Sequence, residues 1–236
     1  MNTEELRAVA ATYGTPTYIF DVREVEARIR LLRSLLPEDT GLCFAVKANP
    51  FLIPYVADLV DRLEVCSPGE YEICIQEQIA PEKIVVSGVN KTYESMKRIL
   101  SYSKGAGIYT IESEEHAKIL RTLAEKNQMP LSVLIRLSSG NQFGVDAETF
   151  FRLAKEIQES PYLTLAGVHY YAGTQKRQSK LEKELDTLTA FAKTFEEETG
   201  TVLKELEYGA GMNGNIPRMD YRQYRAARRL VHECCN

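Results

Sequence analysis

The amino-acid sequence predicts an α/β fold in which parallel strands, each followed by a covering helix, curl into a βα barrel. Three observations predict it. Apolar strand-like runs alternate with helix-period segments along almost the whole chain, and such alternation marks parallel strands joined by helical crossovers. The strand runs are nearly continuously apolar, as in Val133-Leu134-Ile135, which fits strands buried on both faces. The chain has 236 residues, close to the about 250 of one such barrel.

In order, the strand runs begin near Cys43 (CFAVKA), Leu63 (LEVCS), Lys83 (KIVVSG), Gly107 (GIYTIE), Leu131 (LSVLIRLS), Leu163 (LTLAGVHYY) and Leu203 (LKELEYGAG). Between them lie amphipathic segments such as TYESMKRILSYSK, SEEHAKILRTLAEKN and KLEKELDTLTAFAKTFEEET. Ser113 before Glu115 and His116 reads as a helix N-cap, its hydroxyl accepting from an orphan first-turn amide. Seven strands leave a barrel of eight incomplete, with open edges that invite pairing with another chain. A doubly wound open sheet is the competing architecture, but no Gly-x-Gly-x-x-Gly follows the first strand, which argues against its dinucleotide-binding form. The run Thr17-Tyr18-Ile19-Phe20-Asp21 predicts a further strand in a neighbouring sheet outside the barrel. The resulting division is an N-terminal helix and strand over 1–21, a barrel over 22–217 and a basic tail over 218–236. That tail carries Arg218, Arg222, Arg225, Arg228 and Arg229 without a lysine, and reads either as a solvated basic helix or as a stretch where the natural sequence has been cut or altered.

Composition narrows the function classes. Hydrophobic residues make up 44% and charged residues 26%, ordinary for a chain that buries a core. A net charge of −4 gives no electrostatic case for nucleic acid. No apolar run approaches the roughly 18 residues of a membrane span, and Met1 to Ala11 lacks a signal-peptide core. The five cysteines, Cys43, Cys66, Cys74, Cys234 and Cys235, show no metal-ligand spacing. They suggest a reducing cytoplasm, with Cys43, Cys66 and Cys74 as small core residues.

Lys47 stands out because it follows two apolar residues at the end of the first strand. Burial of an ammonium costs several kcal/mol unless it is paired. Desolvation lowers its pKa, and a neutral amine condenses with aldehydes. The alternative is a strand-end lysine reaching to solvent. Gly173-Thr174 and Gly209-Ala210-Gly211 end later strands, where glycines let backbone N–H groups approach an anion and Thr174 adds a hydroxyl. Barrels hold phosphate at such late strand ends. Arg136 ends an apolar run and points to an anion or to a surface salt bridge. Glu64 orients a cationic group or is a plain loop carboxylate. His169 and Tyr171 share one strand face, read as the one toward the barrel centre, while Tyr170 faces the helices. Tyr171 stacks on a planar ring or is a core tyrosine. His116 and His232 receive no catalytic role.

Taken in order, Tyr18-Ile19-Phe20-Asp21, Phe44-Ala45-Val46-Lys47-Ala48-Asn49, Glu64-Val65-Cys66-Ser67-Pro68-Gly69-Glu70, Gly88-Val89-Asn90-Lys91, Gln142-Phe143-Gly144-Val145, Gly167-Val168-His169-Tyr170-Tyr171-Ala172-Gly173-Thr174-Gln175 and Tyr208-Gly209-Ala210-Gly211 resemble the fold-type III PLP-dependent amino-acid decarboxylases. Diaminopimelate decarboxylase is the nearest subgroup, with ornithine and arginine decarboxylases more distant. The resemblance runs from about Tyr13 to Pro217. It implies a PLP-binding (β/α)8 TIM-type barrel, pyridoxal 5′-phosphate as a Schiff base on Lys47, a phosphate cradle of Thr174, Gly209, Ala210 and Gly211, and Glu64, Arg136, His169 and Tyr171 about the cofactor. It further implies carboxy-lyase activity on an amino acid as small-molecule substrate, a role in lysine biosynthesis if the substrate is diaminopimelate, and a homodimer.

Three departures accompany the resemblance. The family usually stacks a histidine on the ring at the position of Tyr171. Ala210 replaces the middle glycine. The family's eighth strand and C-terminal β-domain, which carries substrate-contacting residues, are not visible before Asn236, so the chain reads as truncated. The alternatives are a racemase of the same barrel class, a non-catalytic PLP-binding decoy, or a Schiff-base aldolase without the cofactor.

Overall fold

The computed structural model describes residues 1–209 and, as backbone, 230–234. Eight parallel strands close on themselves in sequence order: β1 (Gly41–Ala45), β2 (Arg62–Val65), β3 (Ile84–Val86), β4 (Ile108–Ile111), β5 (Leu131–Arg136), β6 (Leu163–Tyr171), β7 (Glu205–Gly209) and β8 (Leu230–Cys234). The helices are α1 (Thr3–Tyr13), α2 (Val22–Leu35), α3 (Ile53–Val56), α4 (Pro68–Gln76), α5 (Tyr93–Ser103), α6 (Glu114–Asn127), α7 (Ala147–Gln158) and α8 (Gln178–Thr199). Among the described residues no helix is long and apolar enough to cross a membrane.

The barrel class and the seven sequence-predicted strands stand, but two expectations are corrected. The barrel is not left open after seven strands. Leu230–Cys234 pairs with β7 through Leu206↔Leu230 and with β1 through Gly41↔Val231, so the barrel runs past residue 217 and has no open edge. Its sequence hid it, because Leu-Val-His-Glu-Cys has two aliphatic residues and follows an arginine-rich segment rather than an apolar helix pattern. The basic run itself, with its five arginines, lies outside the described residues. The second correction concerns Thr17–Asp21, which forms no strand. A closed barrel offers it no edge to join, and Tyr18 is 92% exposed.

Local chemistry sets the helix starts. Ser67, Thr92, Ser113 and Asp146 each accept a hydrogen bond from a first-turn amide, of Glu70, Ser95, His116 and Thr149 respectively. Each cap satisfies a donor that the helix cannot, and each fixes where the chain leaves the barrel mouth. The apolar helix faces then cover the sheet. Between α7 and α8, Phe150 meets Phe191 edge-on at 4.9 Å and Phe195 at 5.6 Å, the arrangement that aromatic quadrupoles favour.

Strand register decides what lies inside. Cys43, Val85, Ile108 and Leu134 form a small apolar belt in the interior, with Arg62 below it. Arg62 reaches across to the carboxylate of Glu205 on β7, with Nη2 to Oε2 at 3.1 Å, and lies 4.0 Å from Glu207. The β5–β6 pairing shifts by one residue after Val133, so β6 carries a bulge at Ala166. Gly167 follows it, and a Cβ there would sit 1.9 Å from the Glu205 carbonyl oxygen. Gly167→Ala therefore forces β6 and β7 apart and should cost about 3 kcal/mol or more. At Gly69 in α4 a Cβ meets only Ser67 Oγ at 3.9 Å, so Gly69→Ala should be neutral or slightly stabilising. Urea midpoints of the two variants at unchanged m-value check both expectations.

Candidate active site

The C-terminal ends of the strands line an open cavity of about 240 Å³. Five of the predicted site residues line it together: Lys47, Glu64, Arg136, His169 and Tyr171. Register brings them there. Ala45 pairs with Glu64, Arg136 pairs with His169, and Tyr171 lies two residues further along the same face of β6. Tyr170 points the other way and stacks on Tyr208 at 6.3 Å.

Lys47 is not buried on the strand. It lies in a 3₁₀ turn, Val46–Ala48, directly after β1, and its side chain is 43% exposed. The turn lifts the amine out of the barrel interior and sets it at the mouth, so desolvation is not what singles it out. Its neighbours are. Lys47 Nζ lies 3.6 Å from Glu64 Oε2, 3.8 Å from Cys66 Sγ and 5.5 Å from the centre of the Tyr171 ring. Cys43 and Cys74 are buried core thiols as expected, whereas Cys66 is half-buried and lines the cavity.

Beneath the amine is a charge network that sequence reading missed in part. Glu112, the residue after β4, accepts from Arg136 Nη1 at 2.9 Å and lies 3.5 Å from Lys91 Nζ. Lys91 also donates to the Gly88 carbonyl and to Thr110 Oγ1 at 3.2 Å. Burial alone would raise the Glu112 carboxyl pKa, but the Lys91 and Arg136 cations outweigh burial and hold it below the usual carboxylate range. Burial pushes the Lys91 ammonium down to about 8 against the pull of Glu112, so the pair is ionised at neutral pH. Arg136 is further capped by Phe143, whose ring centre lies 5.3 Å from the guanidinium. Gly144 makes that approach possible. It adopts φ +82°, and a Cβ there would meet the Arg136 carbonyl oxygen at 2.8 Å. Glu112 was findable, since it directly follows its strand at the same barrel end where Arg136 closes β5. Lys91 and Phe143 sit in loops whose inward turn no sequence period announces.

His169 is buried with Nε2 4.0 Å from Glu64 Oε1. Desolvation lowers its pKa to about 4, opposed by Glu64 and aided by Arg136, so the imidazole is neutral at pH 7. The expected phosphate cradle is only partly within view. Thr174 is exposed on the loop after β6 and does not line the cavity. Gly209 is buried at the end of β7, its carbonyl accepting from Lys176 Nζ at 3.3 Å. Ala210 and Gly211 lie outside the described residues. His116, given no catalytic role, is a buried helix-start residue whose Nδ1 accepts from the Glu112 amide at 3.4 Å.

A family model described as pyridoxal-dependent decarboxylase, pyridoxal binding domain, matches residues 22–227. A diaminopimelate decarboxylase of Actinosynnema pretiosum subsp. auranticum is 34% identical over 195 residues, covering 75% of this chain and 43% of its own length. Another from Pseudomonas aeruginosa is 31% identical over 230 residues, covering 88% and 54%. The chain thus spans about half the length of the curated relatives it matches. The crystal structure of Helicobacter pylori diaminopimelate decarboxylase with L-lysine superposes with a TM-score of 0.81 at 22% identity, covering 98% of this chain and 65% of that one. At that identity the likeness is one of fold.

The two buried histidines make acid stability a test of this geometry. Desolvation holds both imidazoles at about 4, below their ordinary 6.5, so between those values the unfolded chain binds the extra protons. Stability is full above about pH 6.5 and falls as pH drops through the window, by up to ~1.4 kcal/mol per pH unit for each histidine. His116→Gln, which keeps an acceptor for the Glu112 amide, should lower that slope by about half. Urea unfolding at intervals between pH 7 and 4 measures it, and an unchanged slope would show that His116 is not held neutral.

Proposed function

The chain belongs to the pyridoxal-dependent decarboxylase family, of which residues 22–227 match the pyridoxal-binding domain, and from that premise we propose that the protein removes the α-carboxylate of an amino acid, diaminopimelate first among candidates, with pyridoxal 5′-phosphate held by Lys47. The observation that carries the reading is the Lys47 amine at the barrel mouth, 3.6 Å from the Glu64 carboxylate and 5.5 Å from an aromatic face. The donor set fits the cofactor. It needs a primary amine, a flat apolar surface beside its ring and a backbone cradle for its phosphate. Lys47 is the amine and Tyr171 the surface. Gly173 is open on the side where a Cβ would project, with nothing within 4 Å, and Gly209 begins the predicted glycine segment.

When bound, the pyridoxal ring supplies an electron sink for the pair left behind by departing CO₂. The protein's residues do the rest. Lys47 is the residue whose primary amine would hold the cofactor through its aldehyde carbon. Glu64, buried beside it, holds the ammonium and orients it into the cavity. Tyr171 covers one side of the cavity with its ring. Neutral His169 fills the floor between Glu64 and Arg136. The Lys91–Glu112–Arg136 network keeps that floor rigid, so the amine is held against a preorganised surface rather than a mobile one. The same reading places the enzyme in the cytoplasm, in line with Cys43, Cys66 and Cys74 standing as thiols rather than disulfides, and takes a homodimer as its working unit, as the family resemblance implies.

Borohydride reduction of the cofactor-loaded protein, followed by peptide mass analysis, tests the attachment. The pyridoxyl mass should fall on the peptide holding Lys47 and vanish in Lys47→Ala. Release of CO₂ from diaminopimelate and a panel of other amino acids tests the reaction, with Lys47→Ala slower by on the order of 10³-fold or more. Labelling at another lysine, or solvent exchange of the α-proton without CO₂, would sink the decarboxylase reading.

A further inference from the structure

Beyond its contact with the Gly209 carbonyl, Lys176 has been given no role in the site described so far. It sits in a run, Gln175-Lys176-Arg177-Gln178-Ser179-Lys180, that reads as solvated surface, yet it is 4% exposed while Thr174, Gln175 and Arg177 around it are exposed. The loop is bent to put it there. Gly173 adopts φ +102° and Gln175, not a glycine, adopts φ +55°, a conformation that side-chain-bearing residues avoid. A buried ammonium on a strained loop is costly twice over, so its contacts should account for it.

Those contacts join three elements. Lys176 Nζ is 2.8 Å from Glu184 Oε2 on α8, and the same oxygen accepts from the Tyr208 hydroxyl at 2.7 Å. The ammonium also donates to the Gly209 carbonyl at 3.3 Å. It lies 5.2 Å from the Tyr208 ring centre and 6.0 Å from that of Tyr171. Tyr171 and Gly209 are register partners at the ends of β6 and β7. One cation therefore ties the loop that carries Thr174 to the residue that opens the glycine segment.

We propose that Lys176 is a positioning residue for the cofactor's phosphate: it clamps the Gly173–Gln175 loop against Gly209, so that the two halves of the anion cradle are held at a fixed separation. The inference rests on the cofactor reading given above. Glu184 neutralises the clamp and anchors it to the long helix, so the ammonium holds backbone rather than competing for the phosphate itself. A phosphate cradle works through preset backbone donors, and a loop freed from Gly209 would have to be ordered at the cost of binding.

The test compares pyridoxal 5′-phosphate with pyridoxal, which lacks the phosphate, by fluorescence titration of the full chain. The variant is Lys176→Met with Glu184→Gln. The pair of changes leaves no buried unpaired charge, and the amide keeps an acceptor for Tyr208. Affinity for pyridoxal 5′-phosphate should fall roughly tenfold or more, the worth of one charge-assisted hydrogen bond, while pyridoxal affinity stays within about twofold. Lys176→Arg, which keeps the charge and the donors, should restore most of the difference. Lys176→Gln with Glu184→Gln, which keeps a neutral hydrogen bond across the same gap and again leaves no buried unpaired charge, should lower the phosphate preference by a smaller factor and serves if the first double variant does not fold. Equal loss for both ligands, or no loss for either, overturns the clamp while leaving cofactor attachment at Lys47 intact. A wild-type chain that takes up neither ligand overturns the cofactor reading and the clamp together.

Discussion

Eight parallel strands share one interior, and the register of each strand fixes which of its side chains must live there. Pairings such as Ala45↔Glu64, Glu64↔Val85, Arg136↔His169 and Tyr171↔Gly209 run the same face around the barrel. The middle of that interior is apolar, through Cys43, Val85, Ile108 and Leu134. Above and below it the same alternation delivers charges. Below, Arg62 meets Glu205 across the barrel, and although burial opposes the charge, that carboxylate together with Glu207 raises the guanidinium pKa. Above, Glu64, Glu112, Arg136 and His169 converge. A charge in such a place is tolerated only when paired, so closure of the barrel and pairing of its charges are one requirement.

The two charged layers meet that requirement differently. The lower one is satisfied between strands. The upper one draws in residues from outside the sheet: Lys91 enters from the loop after β3 and shares Glu112 with Arg136, and Lys47 arrives in the turn after β1. Because Glu112 is held by two cations and His169 is neutral, Glu64 is the buried carboxylate directed at the Lys47 amine. The amine owes its setting to these neighbours and to the turn that exposes it, not to desolvation. A reagent at the mouth can reach it from solvent while its near side is held by an ordered floor.

How much of this was legible in the sequence follows from which rules were local. Seven strands were readable because each is a short apolar run between turn residues, and the N-cap at Ser113 because one hydroxyl suffices to make it. The eighth strand was not, because its pairing partners, rather than its own apolar content, make it a strand. Thr17–Asp21 has the composition of a strand and no sheet edge to join. Lys47, Arg136, His169 and Tyr171 were found because strand ends and strand alternation are sequence properties, whereas Glu64, read as beginning a strand, was assigned to the site only through the family resemblance. Lys47 was found through a burial that it does not have. Lys91, Phe143 and Lys176 were missed because their loops fold inward through glycine geometry and long-range pairing, and Lys176 lay hidden in a run that looks like ordinary solvated surface.

Tyr171 and Lys176 bear on one another. Lys47, Arg136 and Lys176 lie 5.5, 5.9 and 6.0 Å from the centre of the Tyr171 ring. A histidine at this position would be one more titratable group among three cations, and each of them would disfavour its protonated form. A phenol ring instead offers a negative face that attracts all three. Lys176 can therefore be drawn in beside the ring at little electrostatic cost, and Glu184 then neutralises it from the helix side. The tyrosine is better understood as part of this local charge arrangement than as an isolated loss of a histidine. What the site gives up is an imidazole beside the ring position; what it gains is an aromatic wall lined by three cations.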